Sequence, residues 1–288
     1  MRYCAPVAAL LLAAVPAGVA QPADNQLTPQ EKAEGWILLF DGQTFHHWVD
    51  PTQKSPPGDS FVIEDGCLKA TGRPRIVEDL FSADTYRDFE LIFDWKISPR
   101  GNSGVKYRIQ DHQFLLDGPR NGRFEDLANA SMRNRRSDRP ARGQDYVIGF
   151  EYQLVDNAGN PDALTAGAIH ATGALYDAFS PVKDATRPVG EFNHSRLLVR
   201  GDHVEHWLNG VKVVDASLKA PEIERAAAKR WGVGNPIYNL LVNQPRLDCP
   251  ISLQNHDNPA WFKNIKIRRL GLVGRFGPPQ HAHGLPPE

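Results

Sequence analysis

Glu151 and Gln153 place a carboxylate and a carboxamide on the same side of one alternating segment. In Gly149–Asn157, Phe150, Tyr152 and Leu154 alternate with Glu151, Gln153 and Val155, the period-two pattern of a half-buried strand. A solvated strand face needs no such pair. The wall of a saccharide cleft does, because sugar hydroxyls both donate and accept hydrogen bonds. The expectation is a sugar site lined by Glu151 and Gln153. Other chemistries are absent from the sequence: it has no Gly-x-Ser-x-Gly, no phosphate-binding glycine loop and no His-Glu-x-x-His. A glycosidase needs two carboxyls flanking the scissile bond. Glu151 and Asp156 lie at odd separation in one segment, so they face opposite sides and make a poor pair.

Short strands must position these groups. Trp36–Phe40 is an apolar run stopped by Asp41-Gly42, and Phe61–Leu68 is a hairpin turning at Asp65-Gly66. Phe89–Ile97 is the clearest strand, with Phe89, Leu91, Phe93 and Trp95 on one face. Val105, Tyr107 and Ile109 alternate with Lys106, Arg108 and Gln110, which sets Lys106 and Arg108 on the same side. Leu197–Asp202 and Val204–Leu208 read as successive strands, and Asn209-Gly210 is the strongest hairpin turn in the chain. Glu222–Arg230, opened by Pro221, is the one good short helix. Ile251–Gln254 and Phe262–Leu270 complete the strands. His203 and His206 are expected to be structural, and Trp95, Trp207 and Trp261 to lie in the core. Many short strands with almost no helix predict a single all-β domain, an antiparallel sandwich over residues 35–270.

The flanks differ from this domain. Residues 1–20 carry Arg2, an apolar stretch and small residues before Ala20, the pattern of a secretory signal peptide. Cys4 lies too early for lipid attachment, and the run is too short to favour a membrane span. Export to the periplasm or the medium is expected, with no membrane association after cleavage. Residues 21–34 read as a linker and 271–288 as a loose tail. Residues 111–144 are rich in Gly, Pro and charge, a long insertion of the kind that forms lids. Net charge is −1 over 288 residues with 23% charged, so no nucleic-acid partner is implied. Cys67 and Cys249 have no metal-type spacing, and their pairing is left open.

Eight short motifs occur in an order that resembles the 3-keto-disaccharide hydrolase family. They are Gly35-Trp36…Leu39-Phe40-Asp41-Gly42, Phe89-Glu90-Leu91…Asp94-Trp95-Lys96, Gly101-Asn102-Ser103-Gly104, Phe150-Glu151-Tyr152-Gln153, Gly173-Ala174-Leu175-Tyr176-Asp177, Gly190-Glu191-Phe192-Asn193, His206-Trp207-Leu208-Asn209-Gly210 and Ile251-Ser252-Leu253-Gln254-Asn255-His256. Asn255 stands where the family commonly has Asp before the His. The resemblance implies a concanavalin-like jelly-roll with its site on the concave sheet, acting on glycosides or disaccharides oxidised to a ketone at C3. Such a ketone acidifies the C2 hydrogen, so a base can remove it and the enolate expels the C1 substituent. It further implies that a divalent metal ion can polarise the ketone, and no organic cofactor is called for.

On that resemblance Glu151 is the candidate general base or a metal ligand, and Lys106 an enolate stabiliser or a second base. His256 is a candidate ligand or acid/base, and His170 a further candidate metal ligand. Asn102, Arg108, Gln153 and Tyr176 are candidate substrate binders, with Tyr176 either stacking on a pyranose or filling the core. Two rival readings stay open: a jelly-roll that only binds carbohydrate, and a conventional glycosidase acting on unoxidised sugar.

Overall fold

The computed structural model describes residues 23–50, 59–72, 74, 76–116, 143–256 and 258–271. The expected leader, most of the expected lid and the tail after residue 271 lie outside the described residues. Two sheets face each other across one core. The larger runs β12 (Val211–Ser217), β11 (His203–Leu208), β10 (Asn193–Arg200), β7 (Phe89–Ile97), β14 (Ala260–Arg269), β4 (Cys67–Ala70) and β3 (Phe61–Glu64), and β1 (Ile37–Leu38) also pairs β14. The smaller runs β2 (Trp48–Val49), β6 (Leu80–Ser82), β13 (Ser252–Leu253), β8 (Asn102–Leu116), β9 (Gly143–Val155) and β5 (Ile76–Val77). Pairing is antiparallel apart from the parallel β5–β9 contact. This is the antiparallel all-β sandwich expected from the alternating segments, and the jelly-roll that the resemblance implied.

The core is built by the predicted alternation. Leu91, Phe93 and Trp95 of β7 and Leu197 and Val199 of β10 face Val105, Tyr107, Tyr152 and Leu154 of the smaller sheet, all fully buried. Polar atoms of these side chains are paired inside, as low dielectric demands. Trp95 Nε1 donates to Ser195 Oγ at 2.9 Å, and Tyr152 Oη donates to the Trp207 carbonyl at 3.0 Å. His206 Nδ1 lies 3.0 Å from the Gly173 carbonyl and its Nε2 3.1 Å from Tyr107 Oη. Burial holds His206 at a pKa of about 4, so it is a neutral structural residue, as expected. The hairpin at Asn209-Gly210 has φ of 48° and 82°, the left-handed pair that a type I′ turn requires.

Several expectations need correction. Residues 23–34 are part of the fold. Pro29–Ala33 forms α1 with a Thr28–Glu31 capping box, and Glu31 pairs Lys266 at 2.7 Å. The expected insertion is shorter than its composition suggested, since β8 continues to Leu116 and β9 begins at Gly143. Asp111-His112-Gln113 followed by Phe114-Leu115-Leu116, and Gly143-Gln144, show no apolar alternation, which hides these strand ends from a pattern search. Trp207 and Trp261 are half-buried on the outer face, each beneath cationic side chains, because their polar ring edges bond Glu205 and Glu64. Cys67 and Cys249 are both buried and free. A second helix, α2 (Pro161–Ala166), follows β9, while α3 (Pro221–Trp231) is the predicted helix and packs on the β9 side of the smaller sheet with the helical turns at Pro236–Tyr238 and Asn239–Asn243. Among the described residues no helix is long and apolar enough to cross a membrane.

Candidate functional site

Tyr152 and Leu154 point into the sandwich, so Glu151 and Gln153 take the opposite face of β9. There they line a cleft of about 490 Å³, within the size range of small-molecule sites. Lys106 sits directly opposite Glu151 in the β8–β9 register, and its ammonium reaches Asp79 Oδ2 at 3.0 Å, with both side chains almost wholly buried. Ser252 Oγ donates to the same Asp79 oxygen at 3.1 Å. Gln254 completes the array. With its carboxamide turned to satisfy both ends, its nitrogen donates to Glu151 Oε1 at 3.2 Å and its oxygen accepts from Lys106 Nζ at 3.2 Å. Gln153, oriented in the same way, donates to Glu151 Oε1 at 3.2 Å.

Gly104 makes room for this carboxylate. A Cβ there would lie 2.2 Å from Glu151 Oε1, inside any permitted contact. The glycine of the Gly101-Asn102-Ser103-Gly104 segment therefore serves a side chain of the neighbouring strand as well as its own backbone.

One ammonium cannot compensate two carboxylates. Burial pushes Glu151 up to a pKa of about 7, with Lys106 opposing and Asp79 adding to the rise. Burial also pushes the Asp79 carboxyl upward against the pull of Lys106. Lys106 itself loses affinity for its proton through burial, but Asp79 and then Glu151 outweigh this, and it remains an ammonium. A carboxylate that exchanges its proton near neutrality beside a fixed cation is what proton abstraction from carbon requires.

A second array closes the cleft on the α3 side. His170 lies between two aspartates, with Nδ1 3.0 Å from Asp162 Oδ2 and Nε2 2.7 Å from Asp177 Oδ1. Burial disfavours its charged form, yet the bonds to Asp177 and Asp162 prevail and raise its pKa. Its ring stacks on Tyr176 at 4.1 Å, and Tyr176 Oη donates to Asp162 Oδ2 at 3.2 Å. Arg230, from the last turn of α3, donates to Asp177 Oδ2 at 2.8 Å and to Tyr146 Oη at 2.7 Å. The Tyr146 ring in turn lies 5.7 Å from Lys106 Nζ, so the two arrays touch.

The structure thus brings Glu151, Lys106, Gln153, Asn102, Tyr176 and His256 together. All except Lys106 line the cleft directly, with Lys106 lying beneath Glu151 in its floor. Arg108 is a correction. The β8–β9 register breaks between Tyr107 and Asp111, setting Arg108, Ile109 and Gln110 against Gly149 alone. Arg108 adopts φ of 52° and turns away to the Leu247 and Gly201 carbonyls and Asp88. Alternation fails wherever a bulge intervenes, so Lys106 and Arg108 do not share a face. Both ring nitrogens of His170, the further candidate metal ligand, are held by the carboxylates of Asp162 and Asp177. Asn255 is structural: its amide accepts from Gly72 and donates to the Ser60 carbonyl, at 3.0 Å each. Asp156 shapes the turn after β9 by accepting from the backbone of Arg100, Ala158 and Gly159.

Among the described residues the expected donors Glu151, His170 and His256 do not gather as a group of three ligand atoms. Glu151 already faces the Lys106 ammonium, and the described residues that gather three ligand atoms are His203, Glu205 and Asp215 instead, on the half-exposed β11–β12 hairpin. There Glu205 is satisfied by Trp207 Nε1 at 2.7 Å and by Arg196 and Lys212.

Asp79, Gln254, Tyr146, Asp162 and Arg230 belong to the site but were not singled out from sequence. Gln254 carried the clearest signal, lying two residues before His256 in the last quoted motif. Asp177 likewise ends a quoted motif, whereas Asp79 and Arg230 reach the cleft only through tertiary packing.

The profile of the 3-keto-alpha-glucoside-1,2-lyase-like domain matches residues 35–268. A curated protein of Bacteroides thetaiotaomicron, a 3-keto-disaccharide hydrolase, is 28% identical, the match covering 83% of this chain and 79% of that protein. A crystal structure from Parabacteroides distasonis, designated a candidate glycosyl hydrolase, aligns with a TM-score of 0.64 at 28% identity, over 86% of this chain and all of that one. A second from the same organism, designated likewise, aligns with a TM-score of 0.53 at 22% identity, over 82% of this chain and 99% of that one.

Proposed function

Since the chain belongs to the 3-keto-alpha-glucoside-1,2-lyase-like family, we propose that it cleaves glycosides carrying a ketone at C3, with Glu151 as the base. The observation that carries this reading is the Glu151 carboxylate itself, with a pKa of about 7 in a polar cleft and a buried ammonium beside it. Family and curated relative together support a carbohydrate-active hydrolase in general terms. The reaction proposed for this site is more specific.

Glu151 removes the C2 proton, and the C2–H electron pair forms a C2=C3 double bond as charge moves to the ketone oxygen. Lys106 and the guanidinium of Arg230 supply positive charge to that enolate. Collapse of the enolate breaks the C1–O bond, the electron pair leaves with the aglycone oxygen, and His256 delivers a proton to it. Water then adds to the unsaturated ketone, giving net hydrolysis. Gln153, Asn102 and Gln254 provide donors and acceptors for the remaining hydroxyls, and Tyr176 offers a ring face to the pyranose. No flanking carboxyl pair is needed. Asp79 is tied up by Lys106 and Ser252, and Asp162 by His170 and Tyr176. The leader expected at residues 1–20 extends the proposal to an exported enzyme that meets its substrate in the periplasm or outside the cell.

The test pairs a 3-keto-glucoside with the matching unoxidised glucoside in deuterated buffer. The expected result is aglycone release from the keto compound alone, with solvent deuterium appearing at C2. Release from the unoxidised glucoside alone would overturn the proposal in favour of a conventional glycosidase. Binding of the keto compound without turnover would leave a carbohydrate-binding module.

A further inference from the structure

The polar cleft continues into a second space of different chemistry. On the α3 side of Glu151 lies a recess of about 70 Å³ walled by Ile148, Phe150, Ile223, Ala227, Trp231 and Leu241. Tyr146, Glu151, Tyr176 and Arg230 border both spaces. We propose that this recess is an aglycone subsite for an apolar group, so that the preferred substrates are 3-keto-glycosides of phenols or branched alkyl alcohols rather than of a second sugar. The inference rests on the reaction proposed above and adds the class of leaving group.

Three observations carry it. First, the two spaces divide polar from apolar lining. Asn102, Gln153, Asp162, Gln254 and His256 line the cleft, whereas the recess wall is mostly aliphatic and aromatic. A hexose pushed into the recess would bury several hydroxyls without partners, and each unmade hydrogen bond weakens binding. Second, the recess wall is a packed structure of its own. Ile148, Ala227, Trp231 and Leu241 belong to a hydrophobic cluster separate from the sandwich core, formed where α3 and the following helical turns cover the β9 side. Third, the recess begins at the base. Elimination moves the C1 substituent away from the ring whose C2 proton Glu151 takes. With that ring in the polar cleft, the substituent finds apolar space next to Glu151. At 70 Å³ the recess is about half the size of a cavity that admits benzene. It accepts the edge of an aryl ring or a branched alkyl group of about four carbons, with the remainder of a larger group emerging to solvent.

The experiment uses the full chain and three substrates that share a 3-keto-glucosyl group and carry phenyl, isobutyl or glucosyl at C1. The expected kcat/KM is at least tenfold higher for phenyl and isobutyl than for glucosyl, the scale on which apolar pockets discriminate. Ala227→Phe fills the recess and should abolish that preference while leaving the glucosyl compound unchanged. Ala226→Leu narrows the same recess from a half-exposed helix position and serves if Ala227→Phe fails to fold. Equal kcat/KM for the three substrates, or a preference that survives both variants, overturns the subsite. If no keto substrate turns over, the reaction proposal fails instead. Titration with phenol then judges the recess independently: binding lost in Ala226→Leu supports it, and no binding to the unaltered protein overturns it.

Discussion

Replacing Glu151 by glutamine should abolish turnover and at the same time stabilise the protein at alkaline pH. The carboxyl has a pKa of about 7 in the fold against an ordinary 4.5, so the fold favours its protonated form. A raised carboxyl contributes stability that is complete below the unfolded pKa and is lost as pH rises through the folded one. The interval of about two and a half pH units, at about 1.4 kcal/mol each, corresponds to roughly 3 kcal/mol, trimmed to about 2–3 kcal/mol because the side chain is half-buried. Glutamine reproduces the neutral form and removes this pH dependence. In a domain of this size the gain at pH 8.5 amounts to a Tm increase of roughly 5–10 °C, shrinking towards zero at pH 4. Thermal unfolding of both proteins between pH 4 and 8.5 measures it, alongside kcat/KM, whose acid limb in the unaltered enzyme should fall near pH 7. A variant whose Tm follows the same pH curve as the parent would refute the electrostatic reasoning. A variant with full turnover would remove Glu151 from the base role.

Three further outcomes are expected. Gly104→Ala puts a methyl 2.2 Å from Glu151 Oε1 and should lower kcat/KM about a hundredfold through displacement of the base; unchanged kinetics would show that the close approach is unimportant. Asp79→Asn leaves Lys106 to Glu151 alone, so the acid limb of the kcat/KM profile should move to lower pH; a shift upward, or none, would contradict the shared-ammonium account. Arg108→Ala should cost roughly 3 kcal/mol in chemical denaturation, because its carbonyl and Asp88 partners are lost, and should leave KM for the keto substrate unaltered; a raised KM would return Arg108 to the site.

Local pattern was enough for most of the scaffold. The alternation of Phe89–Ile97, the turns at Asp65-Gly66 and Asn209-Gly210, and Pro221 opening α3 each depend on interactions between near neighbours in the chain, which a sequence displays directly. The same logic placed Glu151 and Gln153 opposite Tyr152 and Leu154, and the ordered motifs added His256, Asn102 and Tyr176. Alternation failed at Arg108, because the irregularity opposite Gly149 depends on how β8 and β9 register against each other. It also failed at the ends of those strands, where polar and apolar residues fall in blocks rather than alternating.

Glu151 shows where the division lies. The sequence alone determined that a carboxylate stands on the outward side of a strand, beside a carboxamide. That its neighbours are Lys106 across the ladder, Asp79 from before β6, Gln254 after β13 and Arg230 from α3 was decided only by the tertiary structure. The physical reason is that a carboxyl's proton affinity depends on the dielectric and the charges within a few ångströms of it. Those neighbours, three charged and one a carboxamide, come from four segments that meet only when the smaller sheet has assembled and the helix has packed on it.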